Sequence, residues 1–298
     1  MSLCVVGSVA LDTVETPWGR NEEGLGGAAT YFSLAASHYT RVHLVGVVGE
    51  DFPACHVQLL ESKGIDLDGL ERSPGATFRW TGRYHEDINM RDTLDTQLNV
   101  FEQFHPVLPE AARAAEYLFL GNIHPSLQLE VLDQVRAKFV GLDTMNLWIH
   151  TTRHELGKVL ERVDALLIND SEVRDLTGER NIVQGARAIR ELGPSVVVVK
   201  KGEHGCLIFQ NDDVFAAPAL PLESVVDPTG AGDTFAGGFM GHVARQGATD
   251  WTTLRQAVIH GSVLASFTCE AFGPGALAKV TGEDIRGRYE VFRKLVSF

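Results

Sequence analysis

Asp227-Pro228-Thr229-Gly230-Ala231-Gly232-Asp233-Thr234-Phe235 decides the reading of this chain. An apolar, turn-rich approach at 219–226 leads into it, and small and apolar residues run on from 235 to 246 until Gly247 supplies a stop signal. This pattern places Gly230 to Gly232 at a helix N-terminus. Backbone N–H groups there lack intrahelical partners and the macrodipole adds partial positive charge, so an anion can rest against them. Asp233 falls in the first turn, where the same field is expected to keep its carboxylate ionised. A base beside an anion cradle suggests phosphoryl transfer to a hydroxyl. Taken alone, Gly-Ala-Gly also suits close packing, and an acidic residue in the first turn also complements the dipole.

The run DPTGAGDTFAGGF, residues 227–239, resembles the second signature of the PfkB/ribokinase family of carbohydrate and nucleoside kinases. The resemblance implies that Asp233 is the catalytic base taking the proton of the acceptor hydroxyl, and that Gly230, Ala231 and Gly232 form the anion hole for the transferring phosphoryl group. Alignment and charge stabilisation then do most of the catalytic work. It further implies ATP as co-substrate, Mg2+ as cofactor, and a potassium-type cation site at Asp227 and Thr229.

Working outward, 298 residues with 44% hydrophobic content are enough for a large core, and about 250–300 residues is compatible with one domain carrying an appendage. We expect a single domain over residues 1–298. A formal charge of −13 argues against a nucleic-acid partner, which needs a basic face. Cys4, Cys55, Cys206 and Cys269 are scattered without zinc spacing or a disulfide framework, which favours a reducing compartment. No apolar run approaches the ~18 residues of a membrane span, and the chain enters an apolar strand without a basic leader. A cytoplasmic protein is expected, with no membrane partner.

Residues 3–7 and 42–48 read as buried strands separated by a helical stretch at 28–38, and the rhythm resumes with strands at 117–120, 139–142, 165–168 and 196–199 and a helix at 127–138. Continuous apolar runs such as Val196 to Val199 suit strands covered on both faces. The expected fold class is therefore α/β, a doubly wound, mostly parallel sheet flanked by helices. Two segments, 13–25 and 75–105, break the rhythm with alternating polar and bulky residues. They read as strands exposed on one face, or as an ordinary hairpin over the core. In the family such segments form a small β-sheet lid over the acceptor, which often pairs with a second subunit, so a homodimer through the lid is expected.

The glycines of Gly24-Leu25-Gly26-Gly27-Ala28-Ala29 also fit a dinucleotide fingerprint, but that motif belongs immediately after the first strand, which ends near Gly7. As the first family signature, Gly26 and Gly27 would lie against the acceptor's hydroxyls, with Asp12 holding them through its carboxylate. Where the family usually has Asn, this chain has Tyr31, and a phenol cannot offer an amide's paired donor and acceptor. An aromatic there either stacks on a base or widens an apolar wall, so sugar, polyol, inositol and nucleoside acceptors all stay open.

Asn169-Asp170-Ser171-Glu172 has the spacing of a capping box. It also resembles the family's N-x-x-E motif, whose Asn169 and Glu172 equivalents organise magnesium and its waters near the nucleotide phosphates; one carboxylate and an amide suffice for such an ion. Lys200-Lys201-Gly202-Glu203-His204-Gly205 follows a strand end, as a nucleotide loop does. The resemblance assigns Lys201 (or Lys200), Gly202 and Gly205 to that loop, and Ala265 and Ser266, on a small-residue helix, to the adenine side. Asp143-Thr144-Met145-Asn146 resembles the D-x-N stretch of some sugar kinases without their following Arg, and receives no role. Set against this Mg2+-dependent kinase are a catalytically inactive sugar- or nucleotide-binding regulator on the same fold, which the intact Gly232-Asp233 pair disfavours, and a nicotinamide dehydrogenase, which the misplaced glycines disfavour.

Overall fold

The computed structural model describes residues 1–297. Its strands are β1 Ser2–Val6, β2 Ala10–Thr16, β3 Gly19–Gly26, β4 Arg41–Val48, β5 Asp66–Arg72, β6 Arg79–Tyr84, β7 Arg91–Gln97, β8 Tyr117–Leu120, β9 Phe139–Asp143, β10 Ala165–Asn169, β11 Val196–Lys200, β12 Cys206–Gln210 and β13 Asp213–Ala217. Nine form one sheet in the order β13-β12-β11-β10-β9-β8-β1-β4-β5. Every pairing from β11 to β5 is parallel, and the β11–β12 pairing and the β12–β13 hairpin are antiparallel. That hairpin turns at Asn211 (φ 52°) and Asp212, two turn-forming residues that the sequence reading passed over.

Burial explains why the apolar runs become strands. Val196 and Val198 of β11 join one core, with Phe235, Ala236 and Phe239, while Val197 and Val199 join the other, with Val173 and Ile189. Burying a Val or Leu side chain contributes about 1.5–3 kcal/mol, so a strand apolar on both faces is stable only between two helical layers. The first layer includes helices Ala28–Ala36, Ala231–Gln246 and Trp251–Thr268; the second includes Pro125–Gln134, Arg153–Leu160, Asp170–Thr177 and Ile182–Glu191.

The helix expected at 127–138 occupies Pro125–Gln134 instead. His124 caps it by accepting from the Ser126 N–H, Pro125 suits the first turn, and Val135 is already extended at φ −121°, ψ 143°. The segments expected as a lid form a separate four-stranded sheet, β3-β2-β6-β7. It begins at Ala10, so Asp12 lies within a lid strand, paired in register with Trp80 of β6.

Strand order reverses at β1: the chain builds outward through β4 and β5, then crosses back to place β8 on the other side. Ligands of such sheets bind beyond the carboxyl ends of the strands near this switch. Three polar side chains are delivered there by the last residues of neighbouring strands, Asp143 of β9, Asn169 of β10 and Lys200 of β11. No helix among the described residues is long and apolar enough to cross a membrane. The cysteines are all free thiols, two of them, Cys4 and Cys206, buried.

Candidate active site

The diagnostic run forms a tight turn into helix Ala231–Gln246. Gly230 caps the helix in the left-handed region at φ 75°, and a Cβ placed there would stand 2.4 Å from the ring of Tyr31. Only glycine satisfies both demands. Tyr31 is 2% exposed and lies beneath the turn, so of the two roles open to it the wall is the one its burial favours. Its hydroxyl is held far above its ordinary pKa, by burial first and then by the Asp12, Asp227 and Asp233 carboxylates.

Asp233 begins in the first turn and is half-buried. Burial, and next the Asp143 charge, push its carboxyl up to about 7, with Lys200 and Arg91 pulling the other way. The expectation of a fully ionised carboxylate is thereby corrected: desolvation outweighs the helix field, because the field of one helix end is worth about 1 kcal/mol and taking a charge out of water costs more. A carboxyl poised near neutrality is what a general base requires.

On the acceptor side, Asp12 is buried and its Oδ2 accepts the Gly27 N–H at 3.4 Å. Gly27 stands at φ 91°, and a Cβ on Gly26 would fall 2.0 Å from Asp12 Oδ2. The two glycines thus let the chain fold against the carboxylate. Burial raises Asp12 to about 7; the Gly27 N–H opposes the rise while Asp233 and Asp227 add to it. Asp227 is buried, accepts the Thr229 N–H at 2.8 Å and the Gly273 N–H at 3.3 Å, and is raised by burial. The Thr229 hydroxyl donates to Tyr84 Oη of the lid at 3.3 Å.

Asn169 and Glu172 make both bonds of the capping box: Asn169 Oδ1 accepts the Glu172 N–H at 2.9 Å, and Glu172 Oε2 accepts the Asn169 N–H at 3.0 Å. Glu172 is nevertheless pushed up to about 7, by burial and then by Asp143. Of the two, Asn169 also lines the cavity described below. Lys200 Nζ lies 3.4 Å from both carboxylate oxygens of Asp143, and a Cβ on Gly232 would lie 3.3 Å from it. Burial pulls the ammonium down, but Asp143, Glu172 and Asp233 more than offset this and hold it charged.

A cavity of about 590 Å³, within the range of small-ligand sites, opens beside the turn. Its lining includes Ala231, Gly232, Asn169, Gly202, Gly205, Ala265 and Ser266, so the structure brings the expected nucleotide residues together with the expected anion hole. Lys201 is not among them, and Lys200 is. The pleat decides this, since Lys200 shares the parity of Val196 and Val198 and emerges on the face of helix Ala231–Gln246. The Ser266 hydroxyl is occupied, donating to Val263 O at 2.6 Å and accepting from Arg288 at 3.0 Å. Asp12, Gly26, Gly27 and Tyr31 lie outside the cavity's lining.

Asp143, Arg91, Ile88 and Asn89 escaped the sequence reading as site residues. Asp143 had a local signal, an acidic residue ending a buried strand. The other three sit on the β6–β7 hairpin, and only the docking of the lid brings Ile88 and Asn89 to the cavity.

Comparison with known proteins agrees with this geometry. Residues 2–280 match the family model described as pfkB family carbohydrate kinase. The chain is similar to the cytidine kinase of Thermococcus kodakarensis, 33% identical over 253 residues covering 82% of this chain and 89% of that one. It is also similar to the nucleoside kinase of Methanothermobacter thermautotrophicus, 30% identical over 275 residues covering 88% and 83%. In fold it matches the nucleoside kinase of Methanocaldococcus jannaschii, with a TM-score of 0.78 at 20% identity over 97% of this chain and 98% of that one. The chain belongs to the PfkB family of carbohydrate kinases. It is a kinase for a hydroxyl of a sugar or nucleoside, with ATP as the phosphoryl donor its family implies.

Proposed function

We propose that the protein is a magnesium-dependent nucleoside kinase, transferring the γ-phosphoryl group of ATP to a sugar hydroxyl of a nucleoside. Similarity to a cytidine kinase and to a nucleoside kinase, each over more than four-fifths of both chains, supports the choice of acceptor. The observation that carries the chemistry is Asp233: a carboxyl raised to about 7 in the first turn of a helix whose N-terminal residues line the cavity.

In this reading the acceptor hydroxyl, oriented by Asp12, gives its proton to Asp233 as its oxygen bonds to phosphorus. The bond from phosphorus to the bridging oxygen of ADP breaks as the new one forms. The Gly232 N–H, in the first turn of the helix, and the Lys200 ammonium face the negative charge of the group in transit. Closing the lid excludes water, a competing acceptor.

The residues present suit magnesium: Glu172 and Asp143 are both buried and the Asp143 charge raises Glu172, a donor pair that a divalent cation would relieve. Held through its waters by these carboxylates and Asn169, the ion would neutralise phosphate charge. We propose Asp227 and Thr229 as the potassium-responsive pair, since Asp227 is buried and, among the described residues, is met by N–H donors and by no charged side chain. We also propose a homodimer through the lid, supported by β7, exposed along its whole length, and by Trp18, 67% exposed on the same sheet.

The test is an ADP-release screen with ATP and magnesium over nucleosides, pentoses, hexoses and inositols, alongside Asp233→Asn. Nucleoside-dependent release that vanishes in the variant is expected. Nucleotide binding without release for any acceptor would favour the regulator.

A further inference from the structure

The lid carries several arginines, and their pairing is unequal. Arg20 bonds Glu22, Arg79 bonds Glu23 and Asp51, and Arg83 bonds Glu15. Arg91, the first residue of β7, has no carboxylate within 4.0 Å among the described residues. It is exposed, and its guanidinium stands 5.2 Å over the ring of Trp80 and against the Tyr84 hydroxyl, neither of which neutralises its charge.

Its position is set from two sides. Across the hairpin it pairs with Tyr84, whose hydroxyl meets Thr229 of the anion-hole turn at 3.3 Å. Just before it in the chain, Ile88 and Asn89 line the nucleotide cavity, and Asn89 Oδ1 would lie 2.6 Å from a Cβ on Gly202. The hairpin therefore spans from the anion-hole turn to the loop at Gly202, with Arg91 in the pair that closes its connecting loop. The Arg91 charge also lowers the Asp12, Glu172 and Asp233 carboxyls against their burial, so it is felt on the acceptor side, at the base and on the metal side together.

Charge balance calls for such a group. Asp12, Asp143, Glu172, Asp227 and Asp233 crowd the site, while Lys200, the cation nearest the turn, is engaged by both oxygens of Asp143. A triphosphate adds several more negative charges, and those on the moving group must be met in the transition state.

We propose that Arg91 is a catalytic residue that reaches from the lid to the equatorial oxygens of the transferring phosphoryl group. This role rests on the kinase reading above. Arg91 takes no proton; it donates N–H bonds to the phosphoryl oxygens while the acceptor proton goes to Asp233 and ADP departs. Because the guanidinium sits on the lid and the anion hole on the sheet domain, the positive surround is complete only when the lid is closed over an acceptor. Idle hydrolysis of ATP is suppressed for the same reason.

The test uses the intact chain as wild type, Arg91→Lys and Arg91→Ala, with ATP, magnesium and the best nucleoside of a panel. In Arg91→Ala, kcat should fall by about 10²-fold, the usual effect of removing one transition-state donor, with a much smaller change in the KM for ATP. Added guanidinium should restore part of kcat, and Arg91→Lys should fall between. An unchanged kcat, a loss confined to KM, or a loss that guanidinium leaves untouched while the melting temperature drops would overturn the proposal. A calorimetric titration of ADP and the nucleoside, with and without aluminium fluoride, separates the two readings. Fluoride should tighten ADP binding to the wild type and not to Arg91→Ala. Tightening in neither protein sinks the kinase reading, and equal tightening in both sinks Arg91 alone.

Discussion

The two ends of helix Ala231–Gln246 bury ionisable groups with opposite results. At its N-terminus Asp233, with Asp12 and Glu172 nearby, is pushed up to about 7. Toward its C-terminus His242 stacks on His260 at 4.2 Å, His260 stacks on Tyr289 at 4.9 Å, and the Tyr39 hydroxyl meets His260 Nδ1 at 2.9 Å. There burial drives His242 down to about 4 and His260 to about 3. Desolvation is the first cause in every case and disfavours whichever form is charged. Applied to acids it yields groups poised near neutrality, fit for proton transfer. Applied to bases it yields imidazoles that stay neutral across the physiological range and act as aromatic packing.

The largest expected effect breaks this comparison at its functional end. Asp233→Asn should lower kcat by about 10²–10⁴-fold, the contribution of a positioned base, while nucleotide affinity by calorimetry stays close to wild type. Undiminished turnover would remove Asp233 from the chemistry. In the wild type, kcat/KM should climb with pH and level off above about 7, as Asp233 loses its proton. A flat profile between pH 5.5 and 8 would contradict the raised carboxyl.

Next in size is the metal. Glu172→Gln should raise the magnesium concentration for half-maximal activity by about tenfold or more. A pure capping role would instead lower the melting temperature and leave metal dependence alone.

Stability sharpens the contrast, because the two ends slope oppositely with pH. The carboxyls are raised in the fold, so their contribution is fully present below about pH 4 and lost as pH rises through about 7. Asp233→Asn should therefore stabilise the ligand-free protein at pH 8, by about 1–3 kcal/mol in denaturant unfolding. The imidazoles are depressed, so their contribution is present above about pH 6.5 and lost as pH falls toward 4 and 3. His242→Phe, which keeps a stacked ring, should flatten the acid limb of the stability profile by about 1–3 kcal/mol between pH 6 and 4. Parallel acid limbs in wild type and variant would show that the stack does not titrate.

The acidic groups of the site were largely legible in the sequence, and the imidazole stack was not. Asp233, Asn169 and Glu172 each belong to a short pattern whose spacing maps directly onto one helix turn, so the capping box and the helix start could be read locally. Nothing near His260 in sequence announces His242, Tyr39 or Tyr289 as its neighbours. Those four side chains come from three different helices and, for Tyr39, the turn after helix Ala28–Ala36, and they meet only through packing. Lys200 shows the intermediate case, since both lysines were visible and strand parity chose between them.

By itself the sequence determined the alternation of buried strands and helices, the glycine turn at the head of a helix, the lid segments and the kinase chemistry that Gly230 to Asp233 imply. The strands, helices and glycine turn follow from periodicity and from backbone demands within a few residues, and the lid and the kinase chemistry from the family resemblance. Only the tertiary structure decided how far burial shifts those groups, which lysine lines the cavity, and that Ile88 and Asn89 of the lid reach it. Each of these depends on desolvation and on charges contributed by distant segments, and neither exists until the layers and the lid have closed around them.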